Sequence, residues 1–205
     1  MLPRAGVRPG RHTVAMALAV LLAAGGGTRF AGPTHKLRAS FRGRPLLAHA
    51  LDAVAASGLE AIVVTGAVDV ADLVPEGIDV VANRDWASGQ ATSVLAGIAE
   101  ARRRGDDAVV VGLGDQPFVT ADDWRAVAAA DAPVAVAVHG GHRGHPVRLG
   151  AEVWDLLPRT GDEVGRAVMR SRPDLVAEIR CDGDPLADDL ASTDIDTVED
   201  LRRWS

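Results

Sequence analysis

Val14-Ala15-Met16-Ala17-Leu18-Ala19-Val20-Leu21-Leu22-Ala23-Ala24 runs without a break into Gly25-Gly26-Gly27-Thr28-Arg29. A continuous apolar run of this kind fits a strand buried on both faces, as in a parallel sheet covered by helices. The glycines that follow allow a sharp turn and leave backbone N–H groups open, with no Cβ to block an incoming anion. In open α/β sheets, ligands bind at this carboxyl end of the strands. Arg4, Arg8 and Arg11 ahead of the run give it the outline of a secretory leader. It is too short for a membrane span, which needs ~20 apolar residues, and its passage into a glycine turn favours the strand. Residues 1–13 are therefore expected to be a disordered extension, with Met16 as an alternative start, and the cytoplasm is the expected compartment.

The pattern continues outward from this stretch. Short, β-branched runs at 61–65, 78–81, 108–113, 134–138 and 175–179 join 15–22 as predicted strands. Helix-period segments fall at 45–56, 91–103, 121–130, 152–157, 163–171 and 198–204, with Pro45 suited to a first helical turn and Thr120 to an N-cap. Alternating elements without a linker or repeat predict one α/β domain over residues 14–205. The expected architecture is a mostly parallel twisted sheet with helices on both faces, Rossmann-like in outline.

Composition narrows the function. The 205 residues carry 22 Lys+Arg against 28 Asp+Glu, a net charge of −6, with few aromatics and no Tyr. A basic footprint and stacking platform for nucleic acid are both lacking. One cysteine, Cys181, excludes an internal disulfide and a cysteine-based zinc site. Of the 22 basic residues 21 are Arg, so Lys36 is the only lysine; Asn83 is the only asparagine, and Gln90 and Gln116 are the only glutamines. All four rare residues lie in three loops after strands, which is where chemistry would sit.

The first loop carries Arg29 and then Lys36, cations suited to triphosphate oxygens. It is not a Walker loop, because His35 and Leu37 flank the lysine. It is not a dinucleotide fingerprint either, because Phe30 replaces the third glycine and Thr65-Gly66 ends the second strand without an acidic residue. After the fourth strand, Gly114-Asp115-Gln116-Pro117 sets a carboxylate where a hard cation such as Mg²⁺ could bind. Asn83-Arg84-Asp85-Trp86-Ala87-Ser88-Gly89-Gln90-Ala91-Thr92-Ser93 leads into a helix whose start offers N–H and hydroxyl donors to an anion. Gly140 to Pro146 reads as a flexible loop, its two histidines short of a zinc set. The stretch from Asp182 to Asp200 holds eight acidic residues and no basic one, with Asp194 and Asp196 at period-2 spacing before a helix start.

Leu22-Ala23-Ala24-Gly25-x-Gly27-x-Arg29 followed by Lys36 resembles the signature of the MobA-like nucleotidyltransferases, with a gap to the lysine about two residues longer than usual. Gly114-Asp115-Gln116-Pro117 resembles that family's metal-binding segment, and Asn83-x-x-Trp86-x-x-Gly89-x-x-Ser93 its nucleotide-pocket stretch. Gly144-His145-Pro146 and Gly161-Asp162-Glu163 are similar to its acceptor-side motifs, and Asp194-Ile195-Asp196-Thr197 to its closing segment. The resemblance implies transfer of a nucleotidyl group from a nucleoside triphosphate to a phosphorylated small molecule. Nucleotide contacts would come from Leu22, Ala23, Ala24, Gly25, Gly27, Arg29, Lys36, Asn83, Gly89 and Ser93, and acceptor contacts from His145, Gly161 and Asp162. Asp115, with one of Asp194 and Asp196, would hold Mg²⁺, and Arg29, Lys36 and Asp115 would carry catalysis. Ala23-Ala24-Gly25 and the Trp86 segment lean toward the molybdenum cofactor cytidylyltransferase branch: CTP as donor, a pterin-type acceptor and a molybdoenzyme partner. Guanylyl transfer from GTP, a redox role on a heteroaromatic pigment and a non-catalytic nucleotide-binding module are the alternatives. No nucleic-acid or membrane partner is implied.

Overall fold

The computed structural model describes residues 17–181 and 193–205. The expected extension at 1–13, and the acidic residues Asp182, Asp184, Asp188 and Asp189, lie outside them.

Strand β1 (Ala17–Ala23) lies between β4 (Ala61–Thr65) and β6 (Ala108–Leu113), parallel to both. Outside β4 comes β5 (Asp79–Ala82), also parallel. Beyond β6 stand β8 (His142–Gly150), β7 (Val134–His139) and β9 (Val176–Arg180), giving the order β5-β4-β1-β6-β8-β7-β9. Only β8 runs against its neighbours among these seven strands. A short hairpin, β2 (Ser40–Phe41) and β3 (Arg44–Pro45), stands apart.

The unbroken apolar run of β1 has a simple cause. Leu18, Val20 and Leu22 face one hydrophobic cluster, whereas Ala19, Leu21 and Ala23 face another. Helix α2 (Gln90–Arg104) covers the first with Ala91, Val94, Ile98 and Ala101, and α4 (Val164–Ser171) adds Val164 and Val168. Helix α1 (Leu46–Ala56) covers the second with Leu47, Ala50, Leu51 and Val54, beside Trp124 and Val127 of α3 (Ala121–Ala128). Each stripe has the three- and four-residue spacing of one helix face. Thr120 caps α3 in a reciprocal box with Asp123, as expected from its position. Among the described residues, no helix is long and apolar enough to cross a membrane.

Three expectations are corrected. The stretch after Gly140-Gly141 is not a flexible loop but strand β8. The two glycines, at φ +54 and +83, form the tight turn that pairs β7 with β8. The segment predicted as a helix at 152–157 is a 3-10 turn, Ala151–Leu156, the tighter i→i+3 bonding that connectors often use. Pro45 belongs to the hairpin and precedes α1 rather than opening it.

A third, smaller cluster decides the site. Phe41 of the hairpin, Leu46 and Ile195 are buried together, with Phe118, Leu201 and Trp204 packed around them. Ile195 is fully buried, so the extended chain on either side turns Asp194 and Asp196 into the cleft. Helix α5 (Val198–Trp204), capped by Thr197 and Asp200, anchors this segment from behind.

Candidate active site

The order of strands switches direction between β1 and β6, and a cleft of about 970 Å³ opens at the carboxyl ends there. The glycine loop after β1 and the Gly114–Pro117 loop after β6 form its floor. Lys36 lies at the start of a 3-10 turn, Lys36–Arg38, and the longer loop still delivers it to the centre. Its ammonium is buried and donates to Asp115 Oδ2 at 2.5 Å and to Asp196 Oδ1 at 2.9 Å. Arg29, from the glycine loop, pairs with the other Asp196 oxygen at 2.8 Å. Burial works against the Lys36 charge, but Asp115 and Asp196 outweigh it and raise the ammonium's pKa above its ordinary value.

Asp194 has a different environment. It accepts from Gln116 Nε2 at 2.7 Å. Desolvation in the cleft, reinforced by the Asp115 charge, pushes its carboxyl above the usual range. Gln116 is 3 % exposed and its Oε1 has no hydrogen-bond partner, leaving a buried acceptor available at the cleft floor. The expected metal set of Asp115, Asp194 and Asp196 is thus not a ready cluster: among the described residues, no three His, Cys, Asp or Glu side chains converge as ligands. Asp115 and Asp196 meet on Lys36 instead. Two carboxylates drawn to one point, beside an unpaired amide oxygen, still form a donor set suited to a hard divalent cation.

The nucleotide-side expectations divide. Leu22, Ala23, Ala24, Gly25, Gly27, Arg29, Lys36, Gly89 and Ser93 all line the cleft. Asn83 does not. It is buried behind the wall, donating to Thr92 Oγ1 and Ser93 Oγ at 2.9 Å each and accepting from Asp85 N at 2.9 Å. Every polar atom of that amide is spent on shaping the loop. The start of α2 is also unavailable to an anion. Gln90 N donates to Asp162 Oδ1 at 2.8 Å, and Ala91 N to the Gly161 carbonyl at 2.9 Å.

Gly161 is likewise outside the cleft lining. Its N–H donates to Ser88 O at 3.0 Å, and a Cβ on Gly89 (φ +106) would stand 2.7 Å from its backbone. Gly161 and Asp162 therefore form a seam between the two walls, with Asp162 also lining the cleft. His145 lines it as well. In the pairing of β7 with β8, Val136 faces Val147 and Ala137 faces Gly144, so His145 and Pro146 are an insertion that bulges into the cleft. Burial lowers the His145 pKa to about 4, with Asp115 opposing and Arg166 assisting.

Sequence reasoning missed His35 and His139. His35 Nε2 lies 3.1 Å from Gly25 O, and its Nδ1 accepts from Leu37 N at 3.3 Å. His139 is buried behind the bulge, its two ring nitrogens each 3.1 Å from a carbonyl oxygen, those of Cys181 and His145. Nothing in their spacing marks either one, because both act on backbone groups.

Residues 19–176 match the model of the MobA-like NTP transferase domain. The chain belongs to this family. It is 32% identical over 199 residues to nicotine blue oxidoreductase of Paenarthrobacter nicotinovorans, covering 90% of this chain and 94% of that protein. Among solved structures it resembles a nucleotidyl transferase from Methanothermobacter (TM-score 0.76, 26% identity, 92% of this chain and 95% of that one). It also resembles Rv0371c of Mycobacterium tuberculosis in complex with manganese (TM-score 0.71, 27% identity, 92% and 97%). The chain is a nucleotidyltransferase of the MobA-like type, and its glycine loop, Arg29, Lys36 and Asp115 are gathered in one cleft.

Proposed function

We propose that this MobA-like protein transfers CMP from CTP to the phosphate of a pterin-type acceptor, molybdopterin or molybdenum cofactor, and releases pyrophosphate. A bond forms between an acceptor phosphate oxygen and the α-phosphorus, and the bond from that phosphorus to the β-phosphate's bridging oxygen breaks. The observation that carries the reading is Lys36 and Arg29 held together by Asp196 at the mouth of the glycine loop, with Asp115 opposite. Such chemistry needs positioning and charge stabilisation rather than a protein nucleophile.

The glycine loop offers backbone donors to the triphosphate. Arg29 and Lys36 neutralise charge gathering on the transferred group and on pyrophosphate. Asp115 and Asp196 would hold Mg²⁺ or Mn²⁺, which would supply Lewis-acid polarisation of the phosphates. The Ser93 hydroxyl, which accepts from Asn83, keeps its own proton for the nucleotide side of the cleft. Neutral His145 and the Arg166 guanidinium face the acceptor side. A cytoplasmic setting, with a molybdoenzyme as recipient of the product, accords with this assignment.

The test is pyrophosphate release with each of CTP, GTP, ATP and UTP, Mg²⁺ or Mn²⁺, and molybdenum cofactor. Release with CTP alone supports the proposal; release with GTP, or only with another phosphorylated acceptor, replaces its base or its acceptor. The likeness to nicotine blue oxidoreductase supports one competing reading, a redox reaction on a heteroaromatic substrate. NAD(P)H oxidation dependent on such a pigment, without pyrophosphate release, would establish it.

A further inference from the structure

We infer that His35 is a positioning residue that ties the glycine loop to the turn presenting Lys36, setting nucleotide affinity through one ring nitrogen and lysine placement through the other. The inference rests on the nucleotidyl-transfer reading of the cleft.

Two contacts fix the role. Leu37 N–H points at Nδ1, so Nδ1 carries the lone pair; Nε2 therefore bears the proton and donates to the Gly25 carbonyl. One neutral tautomer satisfies both. The first contact caps the turn Lys36–Arg38, and so sets where the ammonium emerges. The second reaches ten residues back to the glycine loop, which on the transfer reading receives the triphosphate. Gly27 shows how closely the ring lies against this loop. Its φ is +58, and a Cβ there would stand 3.1 Å from Nε2.

The groups facing the ring favour the neutral form. Burial lowers its pKa, and the Lys36 and Arg38 charges act the same way, against the pull of the Gly25 and Gly26 carbonyls. Lys36 is itself balanced by Asp115 and Asp196, and Arg38 by Asp72. Protonation would remove the Nδ1 acceptor and release the cap, so the expected loss appears as pH falls below the ordinary 6.5.

His35→Asn sets an amide where Nδ1 stands, and His35→Gln where Nε2 stands, so the two variants separate the roles. Calorimetric binding of CTP with Mg²⁺ and steady-state pyrophosphate release are measured for both, with His35→Ala alongside. The Asn variant should raise Kd and KM for CTP about tenfold, the scale of one lost hydrogen bond, with kcat nearly kept. The Gln variant should keep KM, lower kcat, and lack the wild-type fall in kcat/KM below pH 6.5; the Ala variant should show both defects. Variants that lose only melting temperature, or that match wild type in every parameter, overturn the inference. A wild type that binds CTP but releases no pyrophosphate overturns the transfer reading, while the binding series still judges His35. A wild type that binds no nucleotide overturns both.

Discussion

The two walls of the cleft are built in opposite ways. On the wall read as the nucleotide side, the loops after the parallel strands β1 and β6 and the segment before α5 place fixed charges: Arg29, Lys36, Asp115 and Asp196 are joined by direct ion pairs. On the acceptor side, an antiparallel strand with a bulge presents His145, whose pKa lies near 4, and arginines at the rim. Arg143 and Arg170 are held there by Glu178 and Glu163. One wall concentrates charge for the reaction centre, and the other shapes a receptive surface. Substitutions on the first should therefore be felt in turnover, and those on the second in substrate affinity and stability.

The largest effect is expected at Lys36. Lys36→Ala removes the ammonium from developing charge and should cost about 2–4 kcal/mol of barrier, a fall in kcat of roughly thirty- to a thousandfold. Lys36→Arg should lose nearly as much, since a planar guanidinium cannot hold the point between Asp115 and Asp196. Full turnover in either variant, measured by pyrophosphate release, would remove the lysine from the mechanism. Next comes the closing segment. Asp196→Asn should cut activity more than tenfold and raise the divalent-metal requirement, whereas Asp194→Asn should do less, because Asp194 accepts from Gln116 and, among the described residues, makes no ion pair with Lys36 or Arg29. Equal effects in a metal titration would erase the distinction between the two aspartates.

At the seam, Asp162→Ala removes the cap on α2 and should lower stability by about 1 kcal/mol, with Asp162→Asn recovering most of it. Denaturant midpoints measure this, and KM for both substrates should rise together because the seam joins both walls. The effect at His145 is confined to acid pH. Its pKa is depressed from 6.5 to about 4, so the folded form prefers the neutral ring. The stability tied to this group is intact above about pH 6.5 and is lost as pH falls toward 4. His145→Asn should flatten that part of a melting-temperature profile, and an unchanged slope would show that other groups carry it.

The same contrast explains what could be read in the sequence. The parallel strands were visible because burial on both faces demands continuous apolar runs, as in β1 and β6. β8 was not, because its first half is exposed and polar, with Gly144 and the Pro146 bulge interrupting any pattern. Lys36 and Asp115 stand out by the rarity of lysine and by the resemblance of Gly114-Asp115-Gln116-Pro117 to a metal-binding segment, and the fold brings the two side chains together. Asn83 and Gly161 were misplaced for a related reason: motif membership shows that a residue matters to a site, not whether it touches the ligand or braces the loop that does. The different partners of Asp194 and Asp196, Gln116 for the first and Lys36 with Arg29 for the second, are beyond any pattern, since both carboxylates turn to the same side of the fully buried Ile195.

The buried ammonium between two aspartates also acts as an admission rule. With Lys36 and Arg29 already matched by Asp115 and Asp196, the mouth of the glycine loop has little net attraction for stray cellular phosphates. An anion arriving alone would have to displace Asp115 and Asp196 from Lys36 and leave them facing it uncompensated. A triphosphate that brings its own divalent cation offers a complete exchange of partners, cation to the carboxylates and anion to the lysine. CTP should therefore bind far more weakly when the metal is chelated, and inorganic phosphate should be a poor inhibitor.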